Sequence, residues 1–299
     1  VAALAAYTIA FVRARRRGRA WPIGRLVAWF AAWLLTLFLA VTGLWEYSTV
    51  QYSWHMVVHM TVNMLVPVLA VLGAPFGLAR AASGPRDAGD PVRTILDGLE
   101  DHRLWQLLTS PPVAWLAYVG SLFAVYFTPA FSWLMKYHWA HQLMLLFFMA
   151  TGYFFFTLII GTDHGAARLP HLLKLALVIS IMPFHAMFAV GILSSRTLIG
   201  QEFYEAIAVP WLGDHAALLA DQGIAGQAAW FLGEVPLLVV IVALAAQWFR
   251  QDSREASDID ARADSGEDDS FDAYNDMLAE LVRRDAATQR EATVKRLQR

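Results

Sequence analysis

Residues 138–160 read HWAHQLMLLFFMATGYFFFTLII and contain no Asp, Glu, Lys or Arg. An α-helix needs about 20 predominantly apolar residues to cross the hydrocarbon core of a bilayer, so this stretch predicts a transmembrane helix. Of the 299 residues in the chain, 58% are hydrophobic and 16% are charged. Soluble domains average about 45–50% apolar and about 25% charged residues. The composition therefore predicts a membrane protein that contacts the lipid bilayer.

Similar apolar segments recur along the chain. They cover residues 21–44, 54–78, 112–128, 171–193 and 226–249. A further apolar segment, residues 1–12, is too short to cross a bilayer. Because no Met begins it, we interpret it as the end of a helix in a longer protein. The sequence thus predicts an all-α, polytopic transmembrane helix bundle with about seven spans, the first of them truncated.

Charged residues divide the chain into two predicted domains, the bundle over residues 1–249 and a soluble tail over residues 250–299. Of the 14 basic residues in the bundle, 12 lie in loops on one side. Basic loops stay in the cytoplasm, so this side and the tail are predicted to be cytoplasmic. The tail holds 13 of the 25 acidic residues. We expect it to be disordered between residues 264 and 272 and helical over residues 277–298.

The composition also argues against several classes of function. The chain has no Cys, which excludes disulfides, thiolate metal sites and cysteine nucleophiles. Its net charge of −2 indicates no nucleic-acid partner. In HMVVH at residues 55–59, a Met stands where His-Glu-x-x-His metalloproteases have their glutamate base. This replacement argues against a zinc protease.

Five histidines are expected to share one depth at the outer end of the bundle. His55 and His59 begin one span four residues apart, and can therefore share a helix face. His138 and His141 open another span. His185 lies 14 residues into a span that runs outward, about 21 Å from its inner end at 1.5 Å per residue. A single histidine is more often a packing residue, but ionisable groups inside a membrane tend to mark function, so the group predicts a metal or haem site.

Methionines accompany these histidines on the same helices. Four of them are taken as candidate ligands: Met56, Met60, Met144 and Met182. Neutral imidazole with thioether suits Cu(I), a soft ion, whereas zinc more often adds a carboxylate or thiolate. Methionine on a span is also ordinary packing material. The pattern favours Cu(I) as the bound metal.

Glu234 is the other ionisable residue predicted to be buried in the bundle. It lies eight residues into the span over residues 226–249. A carboxylate at this depth is costly unless it has a partner. We expect it to support the metal site by neutralising the cation, accepting a proton or orienting a histidine.

Several short motifs, taken in order, resemble a known family. HMVVHM at residues 55–60 leads to LGAP at 72–75, YHWAH at 137–141 opens a span, and DQ at 221–222 precedes GQAAW at 226–230. Over about residues 20–249 the chain resembles the polytopic CtaG family, assembly factors for caa-type cytochrome c oxidases. The resemblance implies a bacterial cell membrane, a non-enzymatic role and cytochrome c oxidase subunits as partners. In some actinobacteria a CopD-like domain precedes this one in the same polypeptide, which would explain the abrupt start.

The residues and the resemblance lead to one main hypothesis and two alternatives. The main hypothesis is a copper chaperone that holds Cu(I) on the outer histidines and methionines and passes it to the oxidase by ligand exchange. The first alternative is a haem-binding or haem-handling protein, since histidines on facing helices also ligate haem iron. The second is a copper permease, which needs polar groups in the inner half, where the sequence offers few beyond His171 and Lys174.

Overall fold

The computed structural model describes residues 1–84, 90–161, 169–207, 209–265 and 270–297, and every regular element in these ranges is a helix. The α-helices are α1 (Ala2–Arg16), α2 (Ile23–Val41), α3 (Leu44–Val50), α4 (Tyr52–Met60), α5 (Val66–Leu72), α6 (Pro75–Ala82), α7 (Pro91–Asp101), α8 (Arg103–Leu108), α9 (Pro111–Tyr126), α10 (Ala130–Lys136), α11 (His138–Ile160), α12 (His171–Ser194), α13 (Gln201–Ile207), α14 (His215–Ser265) and α15 (Ser270–Leu297). A π-helix, Thr61–Leu65, joins α4 to α5, and a 3₁₀-helix, Pro210–Leu212, precedes α14.

Five helical stretches are long and apolar enough to cross a membrane. They are Ile23–Val41, Tyr52–Ala82, His138–Ile160, His171–Ser194 and His215–Arg262. The pair α9 and α10 adds a sixth if it is counted as one span bent by 78°. The predicted all-α transmembrane bundle is confirmed, but the described residues contain five or six such spans instead of about seven. α1 has 15 residues, fewer than the roughly 20 that a crossing requires.

The last apolar segment is the middle of a much longer helix. α14 has 51 residues, whereas the apolar pattern alone predicts a span over residues 226–249. Hydropathy reports only the part of a helix that suits lipid. The flanking residues include several Ala on both sides, Leu before the span and Arg after it, and these residues have high helix propensity, so the same helix continues in both directions.

The chain divides into two compact units, Val1–Leu244 and Ala245–Arg299. The second unit holds the end of α14 and α15. The structure places residues 264–265 in α14 and residues 270–272 in α15, so these parts of the expected disordered stretch are helical, and residues 266–269 lie outside the described residues. The helix expected over residues 277–298 begins earlier, at Ser270, because an Asp in its first turn favours a helix N-terminus.

A π-helical turn interrupts the stretch that carries His55 and His59. The N–H of Val66 donates to the carbonyl of Thr61, five residues earlier instead of four. Pro67 follows at the start of α5. Because proline has no N–H, the Asn63 carbonyl lacks the usual helical donor four residues later. Such π turns occur frequently at functional sites, and this one comes directly after the histidine pair.

The two largest of five clusters of buried side chains in the described residues matter for the site. The first core cluster contains Tyr52, Met56 and Tyr126, together with other aromatic residues and methionines. The second core cluster lies around α5 and includes Met64 and Phe155 among wholly apolar or aromatic residues. The π turn marks the boundary between them along the chain. The histidines of α4 therefore lie on the side of the first core cluster.

Candidate metal centre

Three histidines converge inside the bundle: His55 and His59 of α4, and His141 of α11. One ring nitrogen from each lies within 4.8 Å of the other two. The side chains are 0%, 0% and 2% exposed, respectively. Metal–imidazole bonds are about 2 Å long, so nitrogens bound to one ion lie within about 4 Å of one another. Small ring rotations would let this group, the histidine trio, hold one ion.

The trio forms because the helical stretch of α4, the π turn and α5 runs parallel to α11, and its π turn and α5 pack closely against α11. His59 meets His141, with their Nε2 atoms 3.0 Å apart. Further along both helices, the side-chain amide of Asn63 donates to the Phe148 carbonyl over 3.3 Å. One turn beyond, a β-carbon at Gly152 would overlap the Asn63 carbonyl oxygen. The missing side chain at Gly152 therefore lets the two helices approach, which brings the two histidines into contact.

His55 has a hydrogen-bond pattern that fixes its tautomer. Its Nδ1 lies 3.1 Å from the Ser48 carbonyl oxygen, and its Nε2 lies 3.0 Å from the Tyr126 hydroxyl. A carbonyl only accepts, so the Nδ1–H donates to it, and the neutral ring accepts from Tyr126 at Nε2. Metal-binding histidines commonly donate their second nitrogen to a backbone carbonyl in this way. The hydrogen bond to the Ser48 carbonyl thus keeps the proton of His55 on Nδ1 and leaves the lone pair on Nε2, where it accepts from the Tyr126 hydroxyl.

His59 and His141 satisfy each other only in part. One Nε2 must donate to the other, because two lone pairs repel. Their Nδ1 atoms are buried and have no hydrogen-bond partner among the described residues. Buried polar atoms without partners are rare and call for an explanation. An ion bound between the Nε2 atoms would replace the single hydrogen bond with two coordinate bonds.

Aromatic side chains enclose the trio. Tyr52 stacks on His55 with ring centroids 5.9 Å apart, and Phe148 packs edge-on against His59 at 5.6 Å. Burial, with smaller contributions from Tyr52 and Asp221, raises the pKa of the neighbouring Tyr204 well above its usual value. Its hydroxyl therefore stays protonated. The wall around the trio is apolar and uncharged, so an ion here would be shielded from water.

Residues 5–251, most of the chain, match the family described as the cytochrome c oxidase caa3 assembly factor. The chain belongs to this assembly-factor family. The resemblance that the short motifs indicated is thereby confirmed. The family connects this bundle with the assembly of cytochrome c oxidase.

Relatives of this assembly factor occur in mycobacteria. Uncharacterized proteins of Mycobacterium leprae and Mycobacterium tuberculosis are 44% and 41% identical to it over 280 residues. The alignments cover 93% of this chain but 42% of each relative. The chain therefore spans less than half the length of the curated relatives that it matches. No solved structure matches it significantly.

The four candidate methionines of the assembly factor divide between the two core clusters. Met56, Met60 and Met144 are at most 2% exposed and belong to the first core cluster, beside the trio. Met182 packs against the second core cluster. Three thioethers therefore share a core cluster with Tyr52 and Tyr126, the residues that contact His55, and the fourth packs against a different cluster.

The remaining two candidate histidines lie apart from the trio. His138 is exposed, and its Nε2 accepts from the Gln142 amide over 3.3 Å. His185 contacts Phe188, which contacts Tyr126, which in turn contacts His55. Two aromatic rings therefore separate His185 from the trio. The structure brings together three of the five histidines that the sequence placed at one depth.

Glu234 is placed on α14, with both carboxylate oxygens buried and without a hydrogen-bond partner in the described part of the chain. No hydrogen bond or ion pair joins it to the trio across the described residues. The expectation that Glu234 directly supports the trio is therefore not matched by a hydrogen bond or ion pair among the described residues.

Asp221 holds the helix that carries two of the three histidines. Its carboxylate accepts from the backbone N–H of Ser53 at 3.0 Å, the Ser53 hydroxyl at 2.6 Å and the Gln51 amide at 2.9 Å. Ser53 lies in the first turn of α4, where backbone N–H groups lack helical partners and favour a negative charge. Asp221 thus caps α4 from another helix, α14, and fixes the N-terminal end of the helix that carries His55 and His59.

Sequence reasoning missed the roles of Ser48, Tyr126 and Asp221. Tyr126 and Asp221 act through contacts between elements that are distant in the chain, and Ser48 acts through the backbone carbonyl of the preceding helix, so no spacing pattern signals these contacts. Asp221 is part of a motif that the chain shares with the family, but the motif does not indicate which residues Asp221 contacts. Its neighbour Gln222 also binds across the fold, because its side-chain amide oxygen accepts from the backbone N–H of Ile199 over 2.7 Å.

Replacing Asp221 with alanine should destabilise the assembly factor. Loss of a helix N-cap typically costs about 0.5–2 kcal/mol, and three hydrogen bonds would be lost together. We expect a lower midpoint of thermal unfolding in detergent. Asp252→Ala, which removes an exposed carboxylate of α14, is the matched control and should leave the midpoint unchanged. Equal midpoints for both variants would contradict the capping role.

Proposed function

We propose that this assembly factor supplies copper to a cytochrome c oxidase and holds it as Cu(I) on His55, His59 and His141. The observation that carries the proposal is the buried convergence of three imidazoles within 4.8 Å. The family match supports the connection with the oxidase. The choice of copper rests on the donors and their surroundings.

Charge favours a monovalent ion in the trio. All three donors are neutral, and no carboxylate of the described chain belongs to the cluster. A divalent ion would bring two uncompensated charges into a buried, apolar site inside the bilayer, where charge is costly. Cu(I) brings one. It is also a soft ion that suits imidazole and the thioethers of the first core cluster.

Transfer requires ligands that can be exchanged. The trio is sealed by aromatic rings, so copper must pass the outer surface, where His138 is exposed. His138 is three residues before His141, at the start of the same helix, and serves as a first ligand. A partner subunit of the oxidase then takes the ion by ligand exchange, with no covalent chemistry and no catalytic residue.

The two alternative functions have less support. A haem held axially needs a planar macrocycle between two imidazole nitrogens, but the Nε2 atoms of His59 and His141 are within hydrogen-bond distance, 3.0 Å. A permease needs a polar path beyond the site, but the second core cluster there is apolar or aromatic. Copper chaperoning requires neither feature.

Metal analysis of the purified chain tests the proposal directly. Protein isolated anaerobically from copper-supplied cells should contain copper and show no visible band, because Cu(I) has a filled d shell. A haem protein would be red, with a Soret band. Zinc in place of copper, or a haem spectrum, would overturn the assignment.

We place the histidine trio near the outer face of the bacterial cell membrane and the tail in the cytoplasm, on the basis of the basic loops. The chain has no native cysteine, so single cysteines report on topology without background. Gly213→Cys should react with an impermeant thiol reagent in intact cells, and Ser265→Cys should react only after lysis. The reverse labelling pattern would contradict this orientation.

The proposed partners follow from the same placement. Copper leaving the outer face reaches oxidase subunits whose metal centres lie on that side. The relatives are more than twice as long as the aligned region, which covers 42% of them. A CopD-like copper-transport domain in the same polypeptide would supply the ion to the trio.

A further inference from the structure

His185 is a buried histidine that the trio does not use. It lies on α12, is 2% exposed, and neither ring nitrogen has a hydrogen-bond partner among the described residues. A β-carbon at Gly233 of α14 would overlap the His185 ring. The imidazole therefore rests directly on the backbone of α14, at a position that tolerates no side chain.

Glu234 follows Gly233 on the same helix and is also without a partner. Both of its carboxylate oxygens are buried, and neither is hydrogen-bonded to a described residue. Consecutive Cα atoms are about 3.8 Å apart, so Glu234 begins beside the glycine that supports His185. An imidazole and a carboxylate are thus placed on neighbouring parts of two facing helices, each with unused donor atoms.

The packing of α12 against α14 fixes this placement. The Gln222 side chain donates to the Thr197 carbonyl over 3.3 Å, at one end of the contact. Further along, a β-carbon at Gly226 would lie 2.7 Å from Cγ of Leu193. Small residues at such contacts let membrane helices approach closely. The same antiparallel seam then reaches Gly233 and His185.

We propose that His185 and Glu234 form a second cation site, distinct from the trio, that binds Cu(I). The proposal rests on the proposed copper function. An ionised Glu234, a neutral His185 and a monovalent cation sum to zero charge, which removes the main cost of an ion inside the bilayer. A divalent ion would leave a net positive charge.

Met182 supplies a third donor to this second site. It lies three residues before His185 on α12, so the two side chains can share a face. Its thioether suits Cu(I), whereas the Glu234 carboxylate is a harder donor than Cu(I) prefers. The second site should therefore bind copper more weakly than the trio.

A Cu(I) titration of the full chain in detergent, under anaerobic conditions and against a chromophoric competitor, tests the proposal. The wild-type chain should bind two equivalents, one tight and one weaker. Glu234→Gln, which keeps the shape of the side chain, should weaken the second equivalent at least about 10-fold and leave the first unchanged. His185→Gln should do the same. Glu202→Gln, an exposed acid of α13, should retain both equivalents.

Different outcomes overturn the two proposals. One equivalent in the wild-type chain, or two unchanged equivalents in Glu234→Gln, would overturn the second site and leave the trio intact. Retention of the tight equivalent after loss of His55 and His59 would instead overturn the proposed function. Thermal unfolding of each variant, compared with that of the wild-type chain, shows that the fold persists, and Glu234→Gln provides the answer if His185→Gln does not fold.

Discussion

Replacing His55 and His59 together with alanine should abolish tight copper binding and leave cells with a copper-deficient oxidase. The two side chains supply two of the three nitrogens of the trio. His141 alone cannot hold the ion, even with help from Met60 or Met144. Loss of a single group that merely supports a metal ligand costs about 10–100-fold in affinity, so losing two ligands should cost more than about 100-fold. Copper titration and the copper content of the oxidase measure the two effects.

Controls for this double variant come from elsewhere in the chain and from copper itself. His102→Ala removes an exposed histidine that caps α8 and should change neither copper binding nor oxidase activity. A second histidine on the predicted cytoplasmic side, His164, lies outside the described residues. Added copper should partly rescue the double variant, because mass action can bypass a delivery protein. Full copper binding and normal oxidase in the double variant would show that the trio is not the site.

The sequence predicts the transmembrane bundle well because hydropathy measures what the bilayer requires. Residues 138–160 and α11 have the same bounds, since a span without charged residues ends where polar residues begin. The i, i+4 spacing of His55 and His59 predicts a shared helix face, and their rings stack on one another with centroids 3.9 Å apart. These features depend on local sequence, and tertiary contacts do not change them.

Features that depend on tertiary packing could not be predicted. The depth estimate placed His185 with the other outer histidines, but it gives only the position of a residue along the membrane normal. The rotation of α12 about its own axis turns the His185 ring toward Gly233. The Ser48 carbonyl and the Tyr126 hydroxyl reach His55 from two other helices. Since neither contact follows from spacing, the sequence identified candidate ligands without showing which of them meet.

The close contact of α11 with the π turn and α5 depends on a single glycine. A β-carbon at Gly152 would overlap the Asn63 carbonyl oxygen and lie 2.9 Å from Cγ of Pro67. Both partners are constrained, because the carbonyl belongs to the π turn and the proline ring cannot rotate away. One added methyl group must therefore separate the helices, and the separation would extend to His59 and His141.

Gly152→Ala should lower both stability and copper affinity. Forcing extra atoms into a packed core typically costs about 1–3 kcal/mol, and pulling His59 from His141 should weaken Cu(I) binding at least about 10-fold. Gly120→Ala is the matched control, because its β-carbon would meet only Cδ1 of Leu116, at an ordinary 3.9 Å. Both variants gain the same helix propensity from alanine, so any difference between them reports on the contact. Thermal unfolding and Cu(I) competition should show a loss in Gly152→Ala alone, and equal behaviour of the two variants would mean that close packing of α11 against the π turn and α5 does not position the trio.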